Sequence, residues 1–134
     1  DNEELRELWK PILDEFKVDL VLSGHDHTYA RTGQVDTTDL KNVPTGYQQA
    51  YDPNIGTVHV VSVSGPKMYG ISKGNYAKRV AENTQLYQII HINDKSLQYE
   101  AYEATGKLYD KFTLQKRKGM PNLLLEALPT ENRK

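Results

Sequence analysis

His25 and His27, one residue apart in the run Gly24-His25-Asp26-His27-Thr28-Tyr29-Ala30-Arg31, are the side chains best suited by type and spacing to do chemistry. Neutral imidazole is a common metal ligand, and histidine changes charge near neutral pH. In extended backbone, residues two apart point to the same side, roughly 6.6 Å apart at about 3.3 Å per residue. Two metals about 3.5–4 Å apart, each about 2.0–2.1 Å from an imidazole nitrogen, accept one histidine each at that separation. The same pair also suits a single zinc ion, and spacing alone does not choose between one metal and two. A loop with two solvated histidines is the plain alternative.

The elements that must position the pair lie just upstream. Val18, Leu20, Val21 and Leu22 form a short apolar run, the pattern of a strand covered on both faces. Gly24 follows, where a missing side chain permits a sharp change of backbone direction. Ligands and catalytic groups of α/β proteins gather past the carboxyl ends of such strands, and the two histidines fall there. Before the strand, Leu5, Leu8, Trp9, Ile12, Leu13 and Phe16 recur at the spacing of one helical face. They predict a helix whose apolar stripe packs on a sheet, kinked or divided at Pro11. Asp1 or Asn2 serves as its cap, and Glu3 and Glu4 complement the dipole of its first turn.

With these residues in view, Gly24-His25-Asp26-His27 after a strand resembles the last metal-ligand motif, Gly-His-x-His, of the calcineurin-like metallophosphoesterases. The run through Arg31 is similar to the purple acid phosphatase version, in which a small residue, Tyr, Glu and Arg follow. Tyr29 and Arg31 match that pattern, whereas Ala30 stands where the glutamate is usual. The resemblance implies a catalytic domain of αββα sandwich form, of which this chain is a C-terminal fragment. It would contribute one N-terminal helix, two buried strands and a C-terminal antiparallel meander, an α/β (α+β) arrangement. It further implies a dinuclear centre of divalent or mixed-valence transition metals (iron, zinc or manganese) and a phosphate-ester substrate. His25 would ligate the second metal and His27 the first. Gly24 would allow the turn, Asp26 would point away or orient an imidazole, and Tyr29 and Arg31 would lie near the site. The remaining ligands and the general acid would come from sequence preceding this chain, leaving the fragment inactive alone. An exported location is the family's implication, and an incomplete sheet surface implies a homodimer.

The rest of the chain divides coarsely into 1–31 (helix, strand and histidine motif), 32–56 (loop), 57–115 (mainly β) and 116–134 (tail), all within a single partial domain. Between 32 and 54 periodicity gives way to turn chemistry. A loop of that length beside a metal motif is a candidate wall for a substrate site, with Tyr47, Gln48, Gln49 and Tyr51 as contacts. Residues 57–64 read as a second strong strand carrying His59, most simply a core or edge histidine. Residues 65–70 form a tight loop at its carboxyl end, where Lys67 or Tyr69 is a candidate phosphate contact. The basic stretch 73–83 predicts a short helix or ordered loop. Strands follow at 86–92, 97–104 and 108–114, joined by hairpin-type turns. His91, within the first of them, reads as structural. Residues 120–128 predict a last strand or helical turn.

Composition bounds the alternatives. A chain of 134 residues, 37% hydrophobic and 26% charged, can bury a core as one domain. Seventeen basic and eighteen acidic residues leave a net charge of −1, which gives no case for nucleic acid or anionic membrane. No apolar run reaches membrane-spanning length. With no cysteine, disulfides, thiolate metal sites and cysteine nucleophiles are excluded within the chain. Two rival readings remain: a β-rich interaction module with an incidental His-x-His, and a mononuclear zinc hydrolase completed by His59 or His91.

Overall fold

The computed structural model describes residues 3–35, 55–71 and 77–126. Helix α1 (Glu3–Glu15) precedes eight strands: β1 (Leu20–Ser23), β2 (Tyr29–Val35), β3 (Thr57–Val61), β4 (Ala77–Ala81), β5 (Leu86–Asn93), β6 (Ser96–Glu103), β7 (Leu108–Gln115) and β8 (Leu123–Glu126). They form two four-stranded sheets, ordered β1-β3-β2-β4 and β5-β6-β7-β8. Only the β1–β3 pair is parallel among the described strands. The fold is therefore α+β, one helix with two mostly antiparallel sheets. Tyr47, Gln48, Gln49 and Tyr51 lie outside the described residues.

The sheets face each other across one core. Val58 and Val60 of β3 and Tyr29 of β2 meet Leu86, Leu97, Tyr99, Ala101, Phe112 and Leu114 of the second sheet. Alternation produces this: on β6, Leu97, Tyr99 and Ala101 are buried while Gln98, Glu100 and Tyr102 are only partly covered. The meander expected over 86–114 is present with in-register pairing from Leu86↔Glu103 to Asn93↔Ser96. The Asn93 carboxamide closes its first turn by accepting from the Lys95 and Ser96 amides. His91 is exposed on this meander.

Other expectations are corrected. The segment 77–81 is a strand, not a helix, and β2 continues the histidine motif where a loop was expected from residue 32. Strand β1 is an edge with Leu22 52% exposed, so among the described residues it is not covered on both faces. Among the described residues the apolar stripe of α1 does not pack on a sheet either: Leu8 and Phe16 are 63% and 72% exposed. On the same helix Lys10 is buried instead, 2% exposed and bonded to Asp14 at 2.6 Å. Both groups act electrostatically on His59, on β3. The helix ends in a Schellman arrangement, with Lys17 N–H donating to Asp14 O and Val18 N–H to Leu13 O. Lys17 holds the left-handed position, φ 51°, that glycine usually takes there.

Candidate metal centre

Strand β1 ends at Ser23, and residues 24–28 turn the chain into β2. The strand end is pinned to β3: the Ser62 amide donates to the Ser23 carbonyl, and Ser23 Oγ donates to the Val60 carbonyl. The turn itself is carried by the histidines. His25 has φ 81° and His27 φ 49°, both left-handed. That region is unfavourable for residues with a Cβ, though histidine is among those enriched there. Strain of this kind concentrates at functional sites. The extended His-x-His geometry therefore does not apply. Nor does Gly24 make the turn: it lies outside the left-handed region, and a Cβ added to it would meet nothing within 4 Å.

His25 is exposed and His27 half-buried. His27 Nδ1 lies 2.7 Å from the Lys67 carbonyl oxygen, and the Tyr69 amide donates to the His27 carbonyl at 3.2 Å. The His27 and Tyr69 rings stack with centroids 4.6 Å apart, and Lys67 Nζ lies 5.2 Å from the Tyr69 ring centre. The loop after β3 thus reaches the histidine turn, as its place at a strand's carboxyl end predicts. Asp26 makes no hydrogen bond to either imidazole among the described residues.

Tyr29 and Arg31 have other surroundings than the site. Both are 0% exposed, on the face of β2 turned toward the second sheet, so neither can touch a substrate. Asp110 of β7, also fully buried, accepts from Tyr29 Oη at 2.6 Å, Arg31 Nε at 2.6 Å and Arg31 Nη2 at 3.0 Å. Arg31 Nη1 donates to Glu126, which Lys78 also engages. Burial, and then the Asp110 charge, push the Tyr29 phenol well above its ordinary range. Burial alone would lower the Arg31 guanidinium, but its bonds to Asp110 and Glu126 outweigh that and raise it. Burial would raise the Glu126 carboxyl, yet Lys78 and Arg31 hold it below the usual carboxylate range. This network is the clearest feature that sequence reading missed. Its signal was an acid at an inward position of β7, in line with Phe112 and Leu114.

His59 lies on β3, away from the histidine turn in sequence and bonded through its amide to Thr32 Oγ1. Burial, then the Lys10 charge, push its imidazole down to about 4, with Asp14 opposing. Among the described residues no three His, Cys, Asp or Glu side chains gather to hold a metal ion, so neither His59 nor His91 completes a mononuclear site there. What the turn offers is two imidazoles. That donor type suits zinc, iron, copper or nickel, in numbers too few to enclose one.

No protein-family model matches the chain. Over 66 residues, 46% of its length, it is 35% identical to uncharacterized proteins from two strains of Mycobacterium tuberculosis, and the match spans 12% of each. The fold is similar to that of a purple acid phosphatase isolated from yellow lupin (Lupinus luteus) seeds. The TM-score is 0.57 at 25% identity, covering 87% of this chain and 20% of that one. The chain thus spans about an eighth of the curated relatives and a fifth of the solved structure.

Proposed function

We propose that this chain supplies the His-x-His arm of a metal-dependent phosphoesterase, with His25 and His27 each giving an imidazole to a dinuclear centre. The observation that carries the reading is the turn itself: two adjacent-but-one histidines in left-handed backbone at the carboxyl end of β1. The similarity to a purple acid phosphatase supports it. The other ligands and the leaving-group acid belong, on this reading, to polypeptide beyond the described residues. Such metals, when bound, neutralise phosphoryl charge and activate water.

The chain's own residues have definable tasks. His25, exposed, is free to meet a ligand from outside the sheet, while His27 is held by its neighbours. Open space over Gly24 leaves room for a phosphate ester to approach. Tyr29 and Arg31 act at a distance by fixing β2 to the second sheet.

The test is p-nitrophenyl phosphate hydrolysis by the protein in its natural full length. Substituting His25→Ala or His27→Ala should lower kcat/KM more than about 100-fold, since even outer-shell losses at metal sites cost about 10–100-fold. The 134-residue chain alone should show no turnover. Activity in both variants equal to that of the unaltered protein would end the reading. The exposed apolar stripe of α1 favours a second one, an interaction module, for which both variants would keep full partner binding.

A further inference from the structure

The loop between β3 and β4 does more than run beside the histidine turn. It is joined to it at three points: the Lys67 carbonyl against His27 Nδ1, the Tyr69 amide on the His27 carbonyl, and the Tyr69 ring on the imidazole. The loop is itself tied at both ends to the segment linking β4 and β5. Gln85 Nε2 donates to the Ser64 carbonyl at 2.8 Å, and the Ile71 amide donates to Glu82 Oε2 at 3.0 Å. Held at both ends, it presents Lys67 O and the Tyr69 ring to His27 from a fixed frame.

A carbonyl oxygen has no proton to give, so the 2.7 Å contact requires His27 Nδ1 to be the donor. In the neutral ring the proton then sits on Nδ1, and Nε2 keeps its lone pair. Stacking on Tyr69, with an interplanar angle of 20°, fixes the remaining freedom, rotation of the ring about its own hydrogen bond. Asp26, the nearest carboxylate in sequence, takes no part in this among the described residues. We propose that residues 64–71 are a positioning clamp for His27, in which the Lys67 carbonyl sets the Nδ1–H tautomer and Tyr69 sets the ring plane, presenting Nε2 as a ready donor to a divalent metal. Metal-bound histidines generally use their second nitrogen in this way, which fixes the tautomer and raises ligand basicity. His25 has no such partner among the described residues, so the two imidazoles differ in preorganisation. The metal's identity as partner rests on the phosphoesterase reading; the tautomer does not.

The experiment separates the two. Long-range proton–nitrogen correlation spectra of the 15N-labelled chain, recorded where His27 is neutral, report which ring nitrogen carries the proton. The expected result is a pyrrole-type Nδ1 and a pyridine-type Nε2 for His27 in the metal-free chain, with His25 averaged between tautomers. Tyr69→Phe keeps the stack and should leave both His27 signals in place. Tyr69→Ala should move them toward each other, and should weaken Zn2+ binding at His27 about 10–100-fold in a titration followed on the same signals. Tyr69 is 45% exposed, so neither change threatens the core. An Nε2–H or averaged His27 in the unaltered chain overturns the proposal, as does a Tyr69→Ala spectrum identical to the unaltered one. If Zn2+ leaves His27 Nε2 unmoved in the natural full-length protein, where the other ligands of the phosphoesterase reading are supplied, while the Nδ1–H tautomer is fixed, the clamp stands and the metal reading fails. If Zn2+ shifts an averaged ring, the metal reading stands and the clamp fails.

Discussion

Asp110→Ala removes the acceptor on which the interface between the two sheets converges. Four donors would lose a partner: Tyr29 Oη, Arg31 Nε, Arg31 Nη2 and the Lys111 amide. The two guanidinium bonds are charge-assisted, each contributing about 1.5–3 kcal/mol, and the phenol bond adds about 1 kcal/mol. Arg31 keeps Glu126, which is partly open to solvent and able to hold only Nη1, so the guanidinium is not left wholly uncompensated. Breaking a buried pair by deleting one partner typically costs about 3–5 kcal/mol, and the remaining Glu126 contact points to the lower half of that range. Against a total stability of about 5–15 kcal/mol, the change would move the urea midpoint severely. Asp110→Asn should cost less, because the carboxamide oxygen still accepts. Replacing both partners, Arg31→Met with Asp110→Leu, should recover much of the loss, since the buried charges go together. Equilibrium urea unfolding by circular dichroism measures all three. A loss below about 1 kcal/mol for Asp110→Ala would refute the view that this network joins the sheets.

Three further outcomes follow from local geometry. His59 binds a proton less readily folded (about 4) than unfolded (6.5), so the unfolded state gains protons first as pH falls. Stability should therefore decline from about pH 7 toward pH 4 by up to about 3 kcal/mol, and His59→Leu should flatten that slope. Glu100, lowered first by its bond to Lys111, and Glu126 add losses only below about 4.5, so urea midpoints across pH distinguish them. Gly24→Ala should leave stability unchanged or raise it by up to about 1 kcal/mol, since the backbone is compatible and the new methyl meets nothing within 4 Å. A large loss in thermal unfolding would show that the turn needs glycine after all. Lys17→Gly should stabilise by about 0.5–1 kcal/mol by relieving a left-handed side chain at the end of α1, and a fall in Tm would contradict the strain assigned there.

The sequence carried the parts of this fold that local pattern determines. The strands β5 to β7 and their hairpin turns were marked, because a meander's register follows from its turns and its period of two. The helix was visible in its stripe, but not which way it faces. Periodicity says that Leu8 and Phe16 share a side with other apolar residues, and says nothing about whether this chain covers that side. The buried Lys10 broke the pattern that the stripe had set. Strand β4 was hidden for a related reason: Lys78 and Arg79 belong to a basic stretch without strand alternation, yet Lys78 meets Glu126 and Arg79 lies over the Tyr109 ring, bonding to the Tyr109 carbonyl.

The candidate site was legible in residue type and illegible in geometry, and the same motif shows why. A two-residue spacing has a defined reach only in extended chain, and His25 and His27 are not extended. What holds His27 and the strand after it is long-range: Lys67 lies 40 residues from His27, and Asp110 79 residues from Arg31. No window along the sequence contains either pair. The motif therefore serves two structures at once. Its first half turns away from the sheets toward residues 64–71, and its second half, Tyr29 and Arg31, is drawn into the core by Asp110. A short stretch that bridges the core and an exposed turn is a physical route by which the sheet interface can hold the histidines steady. Loosening the buried end should broaden the His27 signals, even though no atom of Asp110 is hydrogen-bonded to that ring.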